Sequence, residues 1–447
     1  MSKEYETPFS LSSRDDKDTE TNFAKNPFFR IIIIALSAAV VVGIVLLTVV
    51  LVSTHSEENK TESIIILKEN SDEDWPEDNS ANFIKGVYSC PGEYKYCYFY
   101  DSRSINHTAE ISSITVDGKR VAIQPYHQFS ETGLKTVIIK FSSPVADMSG
   151  FFFSTEYLLT VDFSSFDSSA MTRMAQMFSG CTSLKAITWG DNFSTSKVTS
   201  MDNLFNGLTL TSLDVSKFDT SKVTSFNYMF ANCESIVELN LQNFDTSNVA
   251  DFGAMFMGCE NLVSLDLSSF NTSKAIYMND MFYNCYKLTS LSLSNFDTSS
   301  VTTMQEMFGN CQSIKKLNLA SWVTINVKDM DRMFQGCIAL EVLQQKFTSE
   351  NLLSSERMFR GCSHLKSLDL SKLVGEVLED MSQMFSMCNS LTSLDLSNFE
   401  AQKCTDTAKV FYSLPSTGTV VYDSAKINPN VLLTLPTGWV RKDLSVS

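Results

Sequence analysis

Histidine is nearly absent from this 447-residue chain: His55, His107, His127 and His364 are all it has. Only His364 falls in the long repetitive region, so a Ser-His-Asp site there would have to be built around it. It stands in the string GCSHL, where other repeats carry Asn261, Lys287 or Ser313, and this reads as a variable surface position. Cations are short as well. Against 51 Asp and Glu there are 35 Lys and Arg, a formal charge of -16. Nucleic acid is bound by clustered basic surface, so no nucleic-acid partner is expected. An acidic chain also stays soluble and is repelled by anionic surfaces. Eleven cysteines are present but no C-x-x-C pair, so the common zinc spacings are missing. Neither a metal nor a cofactor is expected.

What the chain has in abundance is repetition. An aromatic slot, usually written MF, recurs over residues 145–422 at Phe152, Phe178, Phe205, Phe230, Phe256, Phe282, Phe308, Phe334, Phe359, Phe385 and Phe411, with gaps of 25 to 27 residues. The units starting at Val249, Ala275 and Val301 share the reading V-x-x-M-x-x-M-F-x-G/N-C-x-x-L-x-x-L-x-L-S-x-F-D/N-T-S. One such unit cannot hide its apolar face alone, so about eleven of them are expected to stack into a solenoid.

Within a unit, Leu262, Leu265 and Leu267 alternate as a short strand does. Met278, Met281, Phe282 and Cys285 follow the i, i+3, i+4, i+7 rule and predict a short helix. Asn271-Thr272-Ser273 turns the corner between them, where short polar side chains bond to backbone two or three residues on. The expected fold is a leucine-rich-repeat-like solenoid with one short parallel strand and one short helix per 26-residue unit. Strands stacked at about 4.8 Å per coil would make it roughly 50 Å long.

Units such as NVADFGAMFMGCENLVSLDLSSFNTS resemble the BspA-like leucine-rich-repeat surface proteins, in the form also seen in mycoplasma-type surface lipoproteins. Unlike the ordinary leucine-rich repeat, they place Phe270 and Phe296 where Asn or Cys is usual, with the Cys three residues before the first Leu. The resemblance implies a cell-surface solenoid that contacts host or extracellular-matrix molecules.

Upstream of the repeats, residues 31–52 are apolar apart from Ser37, Gly43 and Thr48, long enough for one transmembrane helix. Lys25 and Arg30 precede it, so residues 1–30 are expected to be a cytoplasmic tail, with the solenoid outside and the protein single-pass in the plasma membrane. Residues 53–82 are acidic and read as a stalk. Residues 83–144 carry hairpin signals around Asp117-Gly118 and predict a small β region, either an N-terminal cap on the first coil or a separate binding domain. LPSTGTVVYD and the later LPTGWV resemble the closing segment of these surface proteins, which implies that residues 423–447 are a C-terminal cap and tail. Leu414-Pro415-Ser416-Thr417-Gly418 spells a cell-wall sorting pentapeptide, but no membrane-length apolar run follows it.

Ten of the eleven cysteines fall into two groups, and Cys404 replaces the Val seen at Val301, a core position. Cys90 and Cys97 are expected to form a disulfide in an oxidising compartment. Cys181, Cys233, Cys259, Cys285, Cys311, Cys337, Cys362 and Cys388 each follow the aromatic by three residues, in a slot that elsewhere accepts Leu208 and Leu414. That substitution marks an apolar core slot, so these are expected to be buried free thiols. N-glycosylation sequons occur at Asn59, Asn106, Asn192 and Asn271; Asn271 sits in a tight corner, which makes Asn59 and Asn106 the better acceptors. Tyr277, Tyr283, Tyr286 and Lys287 break the repeat with aromatic surface and form a candidate binding patch. The strand and corner aspartates recur with the repeat, as turn caps and solvated positions do, whereas a catalytic pair would interrupt it. No enzyme activity is expected. The leading expectation is a membrane-anchored surface protein for adhesion or for binding extracellular protein or glycan. The alternative is a coat component that associates with itself, and a polysaccharide-acting enzyme is a distant third.

Overall fold

The computed structural model describes residues 48–55, 61–68, 82–101 and 110–446. The chain divides into two compact units, Met1–Glu77 and Asp78–Ser447. In the first, the strands Thr48–His55 and Thr61–Lys68 pair antiparallel, from Thr48 opposite Lys68 to His55 opposite Thr61. This corrects the expected membrane helix. Residues 31–47 lie outside the described residues, while 48–52 open a strand, and among the described residues no helix is long and apolar enough to cross a membrane. Val49, Val50 and Val52 are β-branched and face Leu67, Ile66 and Ile64, so both runs suit a pleated pair better than their hydropathy suggested. The rest of the expected stalk, with Asn59, and the sequon at Asn106 lie outside the described residues.

The second unit is a β-solenoid of about ten turns. Ten parallel bridges join equivalent residues of successive coils, from Asp147–Arg173 through Asp251–Tyr277 to Asp380–Asp406, without a gap. The MF slot builds the core beside this ladder. Its eleven phenylalanines are all buried, and the ten successive pairs stack with ring centroids 5.4 to 6.0 Å apart and interplanar angles of 3° to 17°. Adjacent methionines such as Met255, Met281 and Met307 fill the remaining volume, as a flexible thioether does well.

The predicted helix in each coil is not there. Across 278–285 the N–H groups alternate between two partners. Asp280, Phe282 and Asn284 donate to Gln305, Met307 and Gly309 of the next coil at 2.8 to 2.9 Å, while Tyr283 and Cys285 close tight turns onto Asp280 and Phe282 of their own. Asp280 and Asn284 carry φ of 57° and 61°, which an α-helix cannot contain. The physical reason is spacing. Helices pack at 8–10 Å between axes, whereas coils bridged as strands advance by about 4.8 Å, so a helix in each coil could not carry the coil-to-coil bonds that Asp280, Phe282 and Asn284 make. A string of turns places apolar residues at the same i, i+3, i+4, i+7 positions and lies flat enough to stack.

On the leucine side the strands are short and interrupted. Ser264–Leu265 pairs with Ser290–Leu291, Lys316–Leu319 with Val342–Gln345, and Ser367–Asp369 with Ser393–Leu396, all parallel. The corners are held by threonine. Thr272 Oγ1 donates to the Asp297 carbonyl and accepts from the Asp297 N–H, both at 2.9 Å, and Thr246 does the same to Asn271. The corner acid caps its own turn, as Ser299 N–H donates to Asp297 Oδ1 at 2.9 Å.

Both ends of the stack are built from sheet. Leu158–Asp162, in the first coil, pairs parallel with Ala186–Thr188 and antiparallel with Phe83–Cys90, which continues into Gly133–Phe141, Ile111–Val116 and Lys119–Val121. The 83–144 region therefore extends the solenoid's own sheet. Asp117 and Gly118 turn its hairpin with φ of 47° and 77°. At the other end Thr417–Tyr422 and Gly438–Asp443 add two parallel strands, with Trp439 buried beneath.

Candidate functional site

Each ladder cysteine sits three residues after its phenylalanine, where a turn aims the side chain along the stack toward the preceding coil. The thiols of Cys181, Cys233, Cys259, Cys285, Cys311, Cys337, Cys362 and Cys388 donate to the carbonyls of Phe152, Phe205, Phe230, Phe256, Phe282, Phe308, Phe334 and Phe359 at 2.9 to 3.2 Å. All are free and buried. Burial pushes the thiols of Cys181, Cys233, Cys285, Cys337 and Cys388 up to about 12, and raises Cys259, Cys311 and Cys362 well above the ordinary value. Such thiols neither attack nor ligate, because both need the thiolate. Among the described residues no group of three or more His, Cys, Asp or Glu is placed to hold a metal ion.

Cys90 and Cys97 lie together as a disulfide, with 5.4 Å between their Cα atoms. The intervening loop carries Glu93 and Tyr94 in the left-handed region.

The four residues of the candidate patch divide. Tyr277 is exposed on the continuous bridge ladder, and Lys287 is exposed elsewhere on the coil. Tyr283 and Tyr286 are half-buried neighbours, and the Tyr283 ring lies over Gly309, where an added Cβ would stand 2.7 Å from Tyr Cδ2. Burial raises the Tyr283 pKa, helped by the charge of Glu306.

Sequence reasoning missed what lies beside Tyr283. Two residues before each ladder phenylalanine the chain turns left-handed, and in successive coils this row reads Asp280, Glu306, Arg332 and Arg357. Arg332 reaches Glu306 Oε1 at 3.1 Å and Glu356 Oε2 at 2.7 Å, and Glu356 in turn holds Arg357 at 3.3 Å. Burial opposes the Arg332 charge, but the bond to Glu306 and the charges of Glu356 and Asp331 outweigh it and raise its pKa. The carboxyls of Asp280, Asp329 and Asp331 are raised chiefly by burial. The readable signal was the run of acids and arginines at a row where other coils carry Gln176, Asn203 or Ala254.

The repeated aspartates are engaged as caps. Asp214, Asp266, Asp369 and Asp395 each accept from the serine N–H two residues on at 2.8 to 2.9 Å. Bonds from the serine two residues on hold the Asp214, Asp219, Asp245 and Asp297 carboxyls below the usual range. His364 is exposed, its Nδ1 2.7 Å from the Ile338 carbonyl. Asn271 Oδ1 caps Ser273 at 3.1 Å, while Asn192 is exposed at the lip of a polar groove of about 590 Å³ lined also by Asn82, Ser168, Ser196 and Lys197.

Comparison with known proteins places the coils. No curated protein matches the chain. The family model described as Mycoplasma protein of unknown function, DUF285, matches four overlapping stretches, residues 139–236, 185–290, 261–373 and 346–419. Those stretches run over more than half of the 447 residues and coincide with the stacked turns, so the chain belongs to the family described as Mycoplasma protein of unknown function, DUF285.

Proposed function

We propose that this chain is a surface-displayed solenoid that binds extracellular protein or glycan without catalysis, as the resemblance to BspA-like surface proteins implies. The observation that carries the reading is the segregation of its cysteines. The pair outside the coils is a disulfide, the state favoured where the surroundings are oxidising, and every free thiol is buried. Display at the plasma membrane with the solenoid outward fits that pattern. A stack of similar coils offers a long regular surface suited to weak contacts repeated many times on a cell. The aspartates that would have to act in polysaccharide cleavage are occupied as turn caps.

A self-associating coat is disfavoured by the end of the stack. The terminal strand Gly438–Asp443 is bonded on one side only, and its outer residues include exposed Arg441 and Lys442, charges that oppose edge-to-edge pairing. The test is protease shaving of intact cells carrying a tag on each terminus, followed by adhesion of the same cells to matrix proteins and glycans. Loss of the carboxyl-terminal tag from intact cells, with adhesion that depends on expression, is the expected result. A protected carboxyl-terminal tag overturns the reading.

A further inference from the structure

The most exposed aromatic surface lies outside the coils, in the 83–144 region. The two-stranded ribbon Tyr96–Tyr98 and Tyr126–Gln128 pairs Tyr98 with Tyr126 and Tyr96 with Gln128. Alternation puts Tyr96, Tyr98 and Tyr126 on one face. Tyr126 meets Tyr96 at 4.8 Å and Tyr98 at 5.6 Å, both edge to face, and Tyr96 and Tyr98 are 6.2 Å apart. Tyr94, one step up the ribbon, is 68% exposed, Tyr96 49% and Tyr98 47%.

Three features show a held surface rather than scattered tyrosines. The Cys90–Cys97 disulfide closes the loop that carries Tyr94 and Tyr96. Glu93 and Tyr94 are both left-handed, with φ of 59° and 58°, a backbone cost that is kept by bonds from their N–H groups to Ser130 and Phe129. Gln128 Nε2 donates to the Tyr94 carbonyl at 2.7 Å and fixes the tip. The rings are therefore arranged before any partner arrives, which removes much of the ordering cost of binding.

We propose that this tyrosine cluster is a carbohydrate-binding site that takes a short pyranose oligosaccharide. The area decides between occupants. Exposed Tyr96 and Tyr98 with half-buried Tyr126 present roughly 300 Å², well below the ~800 Å² per partner of a stable protein interface. A sugar chain is matched in chemistry as well as in size. Pyranose C–H faces are apolar and pack on rings, while the hydroxyl rim needs donors and acceptors. The tyrosine hydroxyls supply them at the edge of the rings. The site names the partner class within the binding function proposed above, and rests on that reading.

The experiment uses the purified full chain against immobilised maltotetraose, cellotetraose, chitotetraose and an N-acetyllactosamine oligomer. At least one should retain the protein, and Tyr96→Ala with Tyr98→Ala should weaken that retention by roughly tenfold or more, while Tyr277→Ala on the solenoid leaves it unchanged. Nitration of the unaltered protein gives a readout free of folding effects. The bound oligosaccharide should protect Tyr96, Tyr98 and Tyr126 and leave the exposed Tyr412 reactive. No retention by any of the four at about 10 mM, or protection that spares the three tyrosines, overturns the proposal. Binding of a matrix protein alone overturns it too. Cell adhesion that survives the double substitution sinks this site while leaving the wider binding function standing, and loss of outward display sinks both.

Discussion

The thiol ladder should make the solenoid fail in alkali, and the slope of that failure can be worked out. In the unfolded chain each cysteine ionises near its ordinary value of 9.0, but in the fold Cys181, Cys233, Cys285, Cys337 and Cys388 stay protonated to about 12. Between those values the folded state holds more protons than the unfolded one, so this contribution to stability is complete below pH 9 and is lost as pH rises toward 12. Cys259, Cys311 and Cys362 are raised as well, each thiol adds about 1.4 kcal/mol per pH unit to the slope, and the eight of the ladder unfolding together add roughly 11 kcal/mol per pH unit. Set against a net stability of ~5–15 kcal/mol, the stack should open within roughly two pH units above 9. Urea melts followed by circular dichroism, at steps between about pH 8 and about pH 11, measure the slope directly. Cys233→Ala with Cys285→Ala removes two of the eight ladder thiols, so the ladder's share of the slope should fall by about a quarter whatever the substitution does to the stability at pH 8. An unchanged slope in that variant, or native thiolate absorbance appearing near pH 9, would refute the reasoning.

Phe282→Ala removes a buried ring stacked on both sides at 5.7 Å and should cost about 3–5 kcal/mol. Phe411→Ala, with one stacked neighbour at 5.6 Å, should cost less by about 0.5–1.5 kcal/mol; hydrogen exchange over the flanking coils compares the two, and equal losses would contradict the stacking argument. Thr272→Val deletes both bonds to Asp297 and should cost about 1–3 kcal/mol, whereas Thr272→Ser should keep most of the stability in the same urea melt. Asp280 is raised above its ordinary 3.8 chiefly by burial, so ionisation works against the fold as pH climbs past 3.8. Asp280→Asn should therefore raise the melting temperature at pH 7 but not at pH 3, and a lower value at pH 7 would show that the charge is needed.

The repeat was legible because its period is written in large side chains. Phe152 to Phe411 fall at the spacing of one coil and stack one on the next, and the substitution of Leu208 in the cysteine slot announced a buried position. The helix was misread because Met278, Met281, Phe282 and Cys285 satisfy helical spacing in a string of turns as well. The contrary signal was present two residues after eight of the eleven aromatics, where Gly180, Gly207, Asn232, Gly258, Asn284, Asn310, Gly336 and Gly361 form a row of the residues that tolerate positive φ. Residues 31–52 invited a membrane helix by hydropathy alone, with no term for the β-branched run 64–66 that 50–52 finds opposite it. Tyr94, Tyr96 and Tyr98 alternate visibly, yet Tyr126 joins them only through pairing across some thirty residues of chain, which no local pattern reports. The Arg332 pairs were hidden for the same reason, since their partners lie one coil away on either side.

Ten bridges of one kind, at the same place in every coil, make the interior turns interchangeable. A gene encoding such a chain can gain or lose a whole period by unequal recombination and still close every bond, because the coil on each side of the join presents the donors and acceptors it always did. Each event would lengthen or shorten the stack by about 4.8 Å and leave both sheet-built ends intact. The length of the stack is then a quantity that a lineage can adjust in single steps.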